Sequence, residues 1–170
     1  CFYLRRKLAQ FLDVKPEALV FGNGSDELLV LAIRAFVGAG DEVIIADPTF
    51  LIYEIATQVE NGSLVKVPMK DFHYDLYAMR QRINPKTKVI FIANPDNPVG
   101  TYVAEKPLTD FLKAIPSEVL VVLDEAYFEF AKSKKNYPDS LKLMQSYENL
   151  IVTRTFSKAY GLAGLRVGYA

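Results

Sequence analysis

One lysine, Lys158, follows a β-like run and precedes an apolar stretch in "TRTFSKAYGLAGLRVGYA" (153–170). A lysine among apolar neighbours at the end of a buried strand is disfavoured as a cation. Burial lowers its pKa and leaves a free amine able to attack a carbonyl. Thr155 and Ser157 add hydroxyls beside it, and Arg166, with its planar fork of donors, suits a phosphate. The plainer alternative makes Lys158 and Arg166 surface cations on a solvated turn. In "VLVVLDEAYFEF" a continuous apolar run ends on Asp124 and Glu125, with Tyr127 close behind. A carboxylate at a buried strand end is costly unless a cation meets it. A protonated ring nitrogen of a cofactor, an arginine or a metal would each serve, and Asp124 could instead merely cap the next turn. Tyr127 could point its phenol into the same space.

Three further loops carry unusual residues. "FGNGSDELL" sets Gly22 and Gly24 before a helix, whose free N–H groups and dipole favour a phosphate. Plain capping is the competing reading, with Ser25 as N-cap and Asp26 and Glu27 complementing the dipole. "FIANPDNPVGT" holds Asn97 between Pro95 and Pro98, each fixing φ, so a rigidly presented amide could bond a ligand oxygen. "DPTF" places Phe50 after another strand, where residue type alone suggests core.

Positioning these loops requires a scaffold. Strand candidates are 18–23, 41–47, 63–69, 88–94, 118–124, 149–155 and a seventh at 165–170. Several are apolar on successive residues, as in a sheet covered on both faces. Helix candidates lie at 25–37, 49–60, 74–83, 105–115 and 139–147. The alternation predicts an α/β fold, three layers α/β/α, around a mostly parallel seven-stranded sheet in a single domain spanning 1–170. Such sheets bind ligands at the carboxyl ends of their strands, which is where all five loops fall.

Composition removes several other chemistries. Twenty basic residues balance twenty acidic ones, so no nucleic-acid or membrane-surface footprint is expected. The longest apolar runs are too short to span a bilayer. One cysteine, Cys1, allows no internal disulfide, and one histidine adds no zinc site, so a reducing, cytoplasmic setting is expected. His73, in "KDFHYDL", reads as a surface residue without a nucleophile nearby. Acid–base work then falls to lysine, tyrosine, carboxylates or a cofactor. Phosphate donors, an acidic partner for a ring nitrogen, partners for a ring oxygen and one amine together suit pyridoxal 5'-phosphate.

The motifs "NPDNPVGT", "DEAYFEF" and "TFSKAYGLAGLRVGY", with "GNGSDE" and "DPTFLIY", resemble the fold-type I aminotransferases, and among them the histidinol-phosphate branch. The resemblance covers essentially the whole chain. It implies that Lys158 forms the Schiff base with the cofactor and moves the substrate proton, and that Asp124 keeps the pyridine nitrogen protonated. It also implies that Asn97 and Tyr127 bond the ring hydroxyl oxygen and that Phe50 stacks on the ring. Gly24, Ser25 and Asp26 would form one half of a phosphate cup, and Thr155, Ser157 and Arg166 the other. The reaction implied is transamination between histidinol phosphate and 2-oxoglutarate, giving imidazole acetol phosphate and glutamate in histidine biosynthesis. Threonine-phosphate decarboxylases and aromatic aminotransferases share similar motifs. Family members carry an N-terminal arm and a C-terminal small domain beyond the stretch matched here, and they work as homodimers. The expectation is therefore a cofactor-binding large domain with little turnover alone and apolar surface left exposed. Two readings without this chemistry compete with it: a nucleotide-binding or flavodoxin-like module, and a silent dimerisation scaffold.

Overall fold

The computed structural model describes residues 2–170, so Cys1 lies outside the described residues. Seven strands form one sheet: β1 (Phe21–Asn23), β2 (Glu42–Asp47), β3 (Ser63–Pro68), β4 (Thr87–Ala93), β5 (Leu120–Asp124), β6 (Leu150–Thr155) and β7 (Val167–Tyr169). Their spatial order is β1-β7-β6-β5-β4-β2-β3. The run from β6 to β3 is parallel; β7 is antiparallel to both β6 and β1. The helices are α1 (Phe2–Leu12), α2 (Gly24–Phe36), α3 (Ile52–Val59), α4 (Leu76–Gln81), α5 (Glu105–Lys113), α6 (Phe128–Ala131) and α7 (Ser140–Met144).

Strand side chains alternate between two covered faces, which is why the central strands read as unbroken apolar runs. Val43, Ile45, Phe91 and Val122 pack with Leu29 and Ile33 of α2 and Tyr53 and Ala56 of α3. Ile44, Ile92, Val121 and Leu123 pack on the other face with Met79 of α4 and Leu108 and Phe111 of α5. Leu8 and Ala9 of α1 join Leu19 and Tyr169 in a smaller cluster at the β7 side. The expected three-layer α/β/α architecture with its mostly parallel seven-stranded sheet is the one observed.

The carboxyl ends of β1, β2, β4, β5 and β6 reach the same edge. After β3 the chain returns to pair β4 with β2 and then builds outward, so the strand order reverses direction between β2 and β4. Such a reversal opens a crevice at the strand tips.

Candidate active site

The tip of β5 is built by alternation. Ala93 of β4 pairs with Asp124, and Asp124 pairs with Thr153 of β6. Asp124, like Val122, faces α2 and α3, whereas Glu125 turns to the opposite face. Asp124 is only 4% exposed. Its Oδ2 accepts from the Tyr53 hydroxyl at 2.8 Å, and its Oδ1 accepts from Thr153 Oγ1 and the Ala126 N–H, both at 3.1 Å. All three donors are neutral. Among the described residues no lysine or arginine forms an ion pair with Asp124. Burial pushes its pKa up, against those hydrogen bonds.

Glu125 is fully buried and meets Arg154, whose Nη2 lies 2.8 Å from Oε2. Ser140 Oγ donates to the same oxygen at 2.8 Å, and the Tyr137 hydroxyl donates to Oε1 at 3.2 Å. The Arg154 guanidinium also lies 3.6 Å from the Phe128 ring centroid. The arginine at this strand edge thus serves Glu125 and not Asp124. Residue type and position along the chain carried no sign of Arg154, Tyr53 or Thr153 as members of this edge. An Asp-Glu pair ending a buried strand does signal that two different partners are needed, because the side chains leave on opposite faces.

A cleft opens in front of Asp124, lined by Asp26, Phe50, Asn97, Tyr127 and Lys158. Outward it meets a wider depression of about 800 Å³ that shares Pro95, Asn97 and Tyr127. Lys158 Nζ stands 5.3 Å from the Tyr127 ring centroid. The lysine is nevertheless exposed, on a bend three residues beyond the end of β6, and not sunk among apolar side chains as its neighbours in sequence suggested. The strand stops at Thr155, and the apolar residues after Lys158 are themselves exposed. Phe50 is half-buried, edge-on to Tyr53 at 5.8 Å, and presents its ring to the cleft besides supporting the core. Asn97 is half-buried between Pro95 and Pro98, and the Asn94–Pro95 and Asn97–Pro98 bonds are both cis.

At the other end of the cleft lies the start of α2. Ser25 is not its N-cap: the helix begins at Gly24, the cap position is Asn23, and no side chain caps it. Glu27 instead accepts the Asn23 N–H at 2.6 Å. The helix start therefore keeps backbone donors and its positive dipole end available for an anion. Gly24 has φ +78, and a Cβ there would come 2.7 Å from Arg166 Nη2. Gly168 of β7 runs so close under this turn that any side chain would collide with the Gly24 and Ser25 backbone. Arg166 Nη2 donates to the Asn23 carbonyl at 3.4 Å and lies 4.0 Å from Asp26 Oδ2. Thr155 Oγ1 bonds Ser157 Oγ at 3.0 Å and accepts the Ser157 N–H at 3.1 Å, which brings both hydroxyls together at the β6 tip. Gly24, Ser25, Asp26, Thr155, Ser157 and Arg166 thus come from three segments to one end of the sheet. His73 is exposed, as expected, and lines the outer depression, its Nδ1 2.7 Å from the Asp71 carbonyl oxygen.

A three-layer sheet with an exposed amine, an uncompensated buried carboxylate and an uncapped glycine-led helix at its strand tips defines a class of protein. A model of the family described as aminotransferase class I and II matches residues 3–170, and the chain belongs to that family. It is 49% identical over 170 residues to a histidinol-phosphate aminotransferase of Moorella thermoacetica, covering 99% of this chain and 44% of that protein. It is 47% identical over 169 residues to histidinol-phosphate aminotransferase 1 of Bacillus cereus, covering 99% of this chain and 45% of that one. The crystal structure of histidinol-phosphate aminotransferase from Sinorhizobium meliloti in complex with pyridoxal-5'-phosphate superposes with a TM-score of 0.92 at 36% identity, over 99% of this chain and 46% of that one. The chain thus spans a little under half the length of the relatives it matches.

Proposed function

We propose that the cleft binds pyridoxal 5'-phosphate and that the chain forms the cofactor-binding large domain of a histidinol-phosphate aminotransferase. The reaction proposed exchanges the amino group of histidinol phosphate with 2-oxoglutarate. The observation that carries this reading is Asp124: a buried carboxylate with three neutral donors and no cation suits a protonated ring nitrogen. Gly24, where a Cβ would fill the space against Arg166, gives a second fit, to a phosphate. The relatives' names and the family membership point the same way.

When bound, the cofactor supplies an electron sink that makes the α-proton of an attached amine acidic. The chain's own residues then have separable tasks. Asp124 would hold the proton on the ring nitrogen, and Asn97 and Tyr127 would bond the ring hydroxyl oxygen. Phe50 would cover the ring and exclude water from it. The N–H groups of Ser25 and Asp26, with the hydroxyls of Thr155 and Ser157 and the fork of Arg166, would hold the phosphate against Gly24, whose own N–H goes to the Arg166 carbonyl at 3.0 Å. Lys158, exposed over the cleft beside Tyr127, would supply the amine that holds the cofactor and the base for the proton at the substrate carbon. Its exposure gives it freedom to move between those two tasks.

We further propose a cytoplasmic homodimer. Phe2, Tyr3 and Phe11 on α1 are 64%, 81% and 77% exposed, large apolar side chains that this chain leaves uncovered. Among the described residues no helix is long and apolar enough to cross a membrane. The direct test is to add pyridoxal phosphate to the protein and follow absorbance. A near-visible band should form with wild type and be lost in Lys158→Ala; a band of equal size in the variant would sink the assignment.

A further inference from the structure

Tyr53 is fully buried in α3, 71 positions along the chain from the carboxylate it touches. Its ring is stacked on Phe91 of β4 at 4.5 Å and 10°, and Phe50 abuts it edge-on. The phenol therefore has one place to point. Burial, and then the charge of Asp124, push its pKa well above the usual phenol value, so it remains a hydrogen donor at any working pH. A carboxylate offers about four acceptor sites. Thr153 and Ala126 occupy those of Oδ1, and Tyr53 occupies one on Oδ2.

We propose that Tyr53 is a positioning residue for Asp124, fixing the carboxylate so that one acceptor site on Oδ2 is left for a single N–H donor in the cleft. This rests on the cofactor reading above, with the ring nitrogen as that donor. A neutral phenol suits the task better than a cation would. It favours the ionised carboxylate by hydrogen bonding without supplying the positive charge that a ring N–H⁺ must bring. Glu125 marks the contrast, because Arg154 already neutralises it and no charge remains for a ligand to meet.

The charged and titratable groups facing Asp124 are few. Asp26 of α2 stands across the cleft and opposes ionisation, Tyr53 comes from α3, and Tyr127 and Lys158 line the cleft. Behind Tyr53 lie Tyr74 and Asp96, joined by a 2.8 Å hydrogen bond.

The experiment is a pH series of pyridoxal phosphate affinities, read from the near-visible band in the full-length polypeptide. Tyr53→Phe keeps the stacked ring and removes the donor. It should weaken affinity at neutral pH about tenfold, the worth of one hydrogen bond to a charged group. Removing a bond to the anion raises the Asp124 pKa, so the fall in affinity on acidification should begin at higher pH than in wild type. Thr153→Val should move it less, since Oδ1 keeps the Ala126 N–H. Wild-type affinity and an unmoved acid limb in Tyr53→Phe would overturn the proposal, as would equal shifts in the two variants. Should Tyr53→Phe fail to fold, 3-fluorotyrosine placed at position 53 carries the test. Its stronger donor should move the acid limb to lower pH, and no movement would overturn the proposal. Absence of the band from wild type would instead remove the cofactor reading itself.

Discussion

Asp124 and Glu125 are consecutive, equally buried and chemically alike, yet the two faces of the sheet treat them in opposite ways. On the α4–α5 side Glu125 is closed into a network with Arg154, Ser140 and Tyr137 that leaves no charge unmet. On the α2–α3 side Asp124 receives hydrogen bonds alone and looks into a cleft. The first arrangement locks the tips of β5 and β6 together. The second retains a local excess of negative charge at a fixed point, and its cost is the burial that raises the Asp124 pKa. A strand end can therefore be structural on one face and poised for a ligand on the other, with one residue's rise between them.

Breaking the structural half should give the largest effect. Arg154→Met leaves Glu125 buried without its cation and should lower the free energy of unfolding in urea by about 3–5 kcal/mol. Adding Glu125→Gln to the same variant should recover much of that loss, because the stranded charge is then gone. Asp124→Asn should behave in the opposite sense: pyridoxal phosphate affinity should drop ~100-fold, in line with losing a charged hydrogen-bonded pair, while the cofactor-free protein becomes more stable. The sign follows from linkage. A carboxyl whose folded pKa is raised contributes stability that is complete below its unfolded value and is lost as pH rises through the folded one. The stability advantage of Asp124→Asn over wild type should therefore shrink on acidification towards pH 3.8, the carboxyl's ordinary value. Thermal melts of both proteins across that range check it, and an advantage that grows in acid would break the comparison. Arg166→Lys should have the smallest effect, a loss of a few-fold in cofactor affinity, since charge survives and only the fork geometry is lost.

Much of this was legible in the chain. The expected parallel strands lie within one or two residues of the observed ones because burial on both faces writes continuous runs such as "VLVVL", and turn-forming residues bound them. The 18–23 candidate is observed as Phe21–Asn23, with Ala18 in a short 3-10 turn over Pro16–Ala18, and the 49–60 helix as Ile52–Val59, its first three residues lying in the loop after Pro48. The short α6 inside "DEAYFEF" went unread, a single turn having no periodicity to detect. Among site residues, those on glycine- and proline-rich loops announced themselves by type. Tyr53 did not, because a tyrosine on an amphipathic helix looks like core and its partner lies on a distant strand. Arg154 sits between two threonines near the end of β6, where only the pairing of β5 with β6 reveals its purpose. Lys158 is exposed despite its apolar sequence neighbours, since an apolar neighbourhood is not a buried one when the chain leaves the sheet.

On the proposed function, Asp124 meets a proton-bearing ring nitrogen. Pyridoxal phosphate labelled with ¹⁵N in the ring reports this by its chemical shift in the bound state. A protonated nitrogen at neutral pH in wild type, turning unprotonated in Asp124→Asn, is the predicted result. An unprotonated nitrogen in wild type, or the same shift in both proteins, would contradict it.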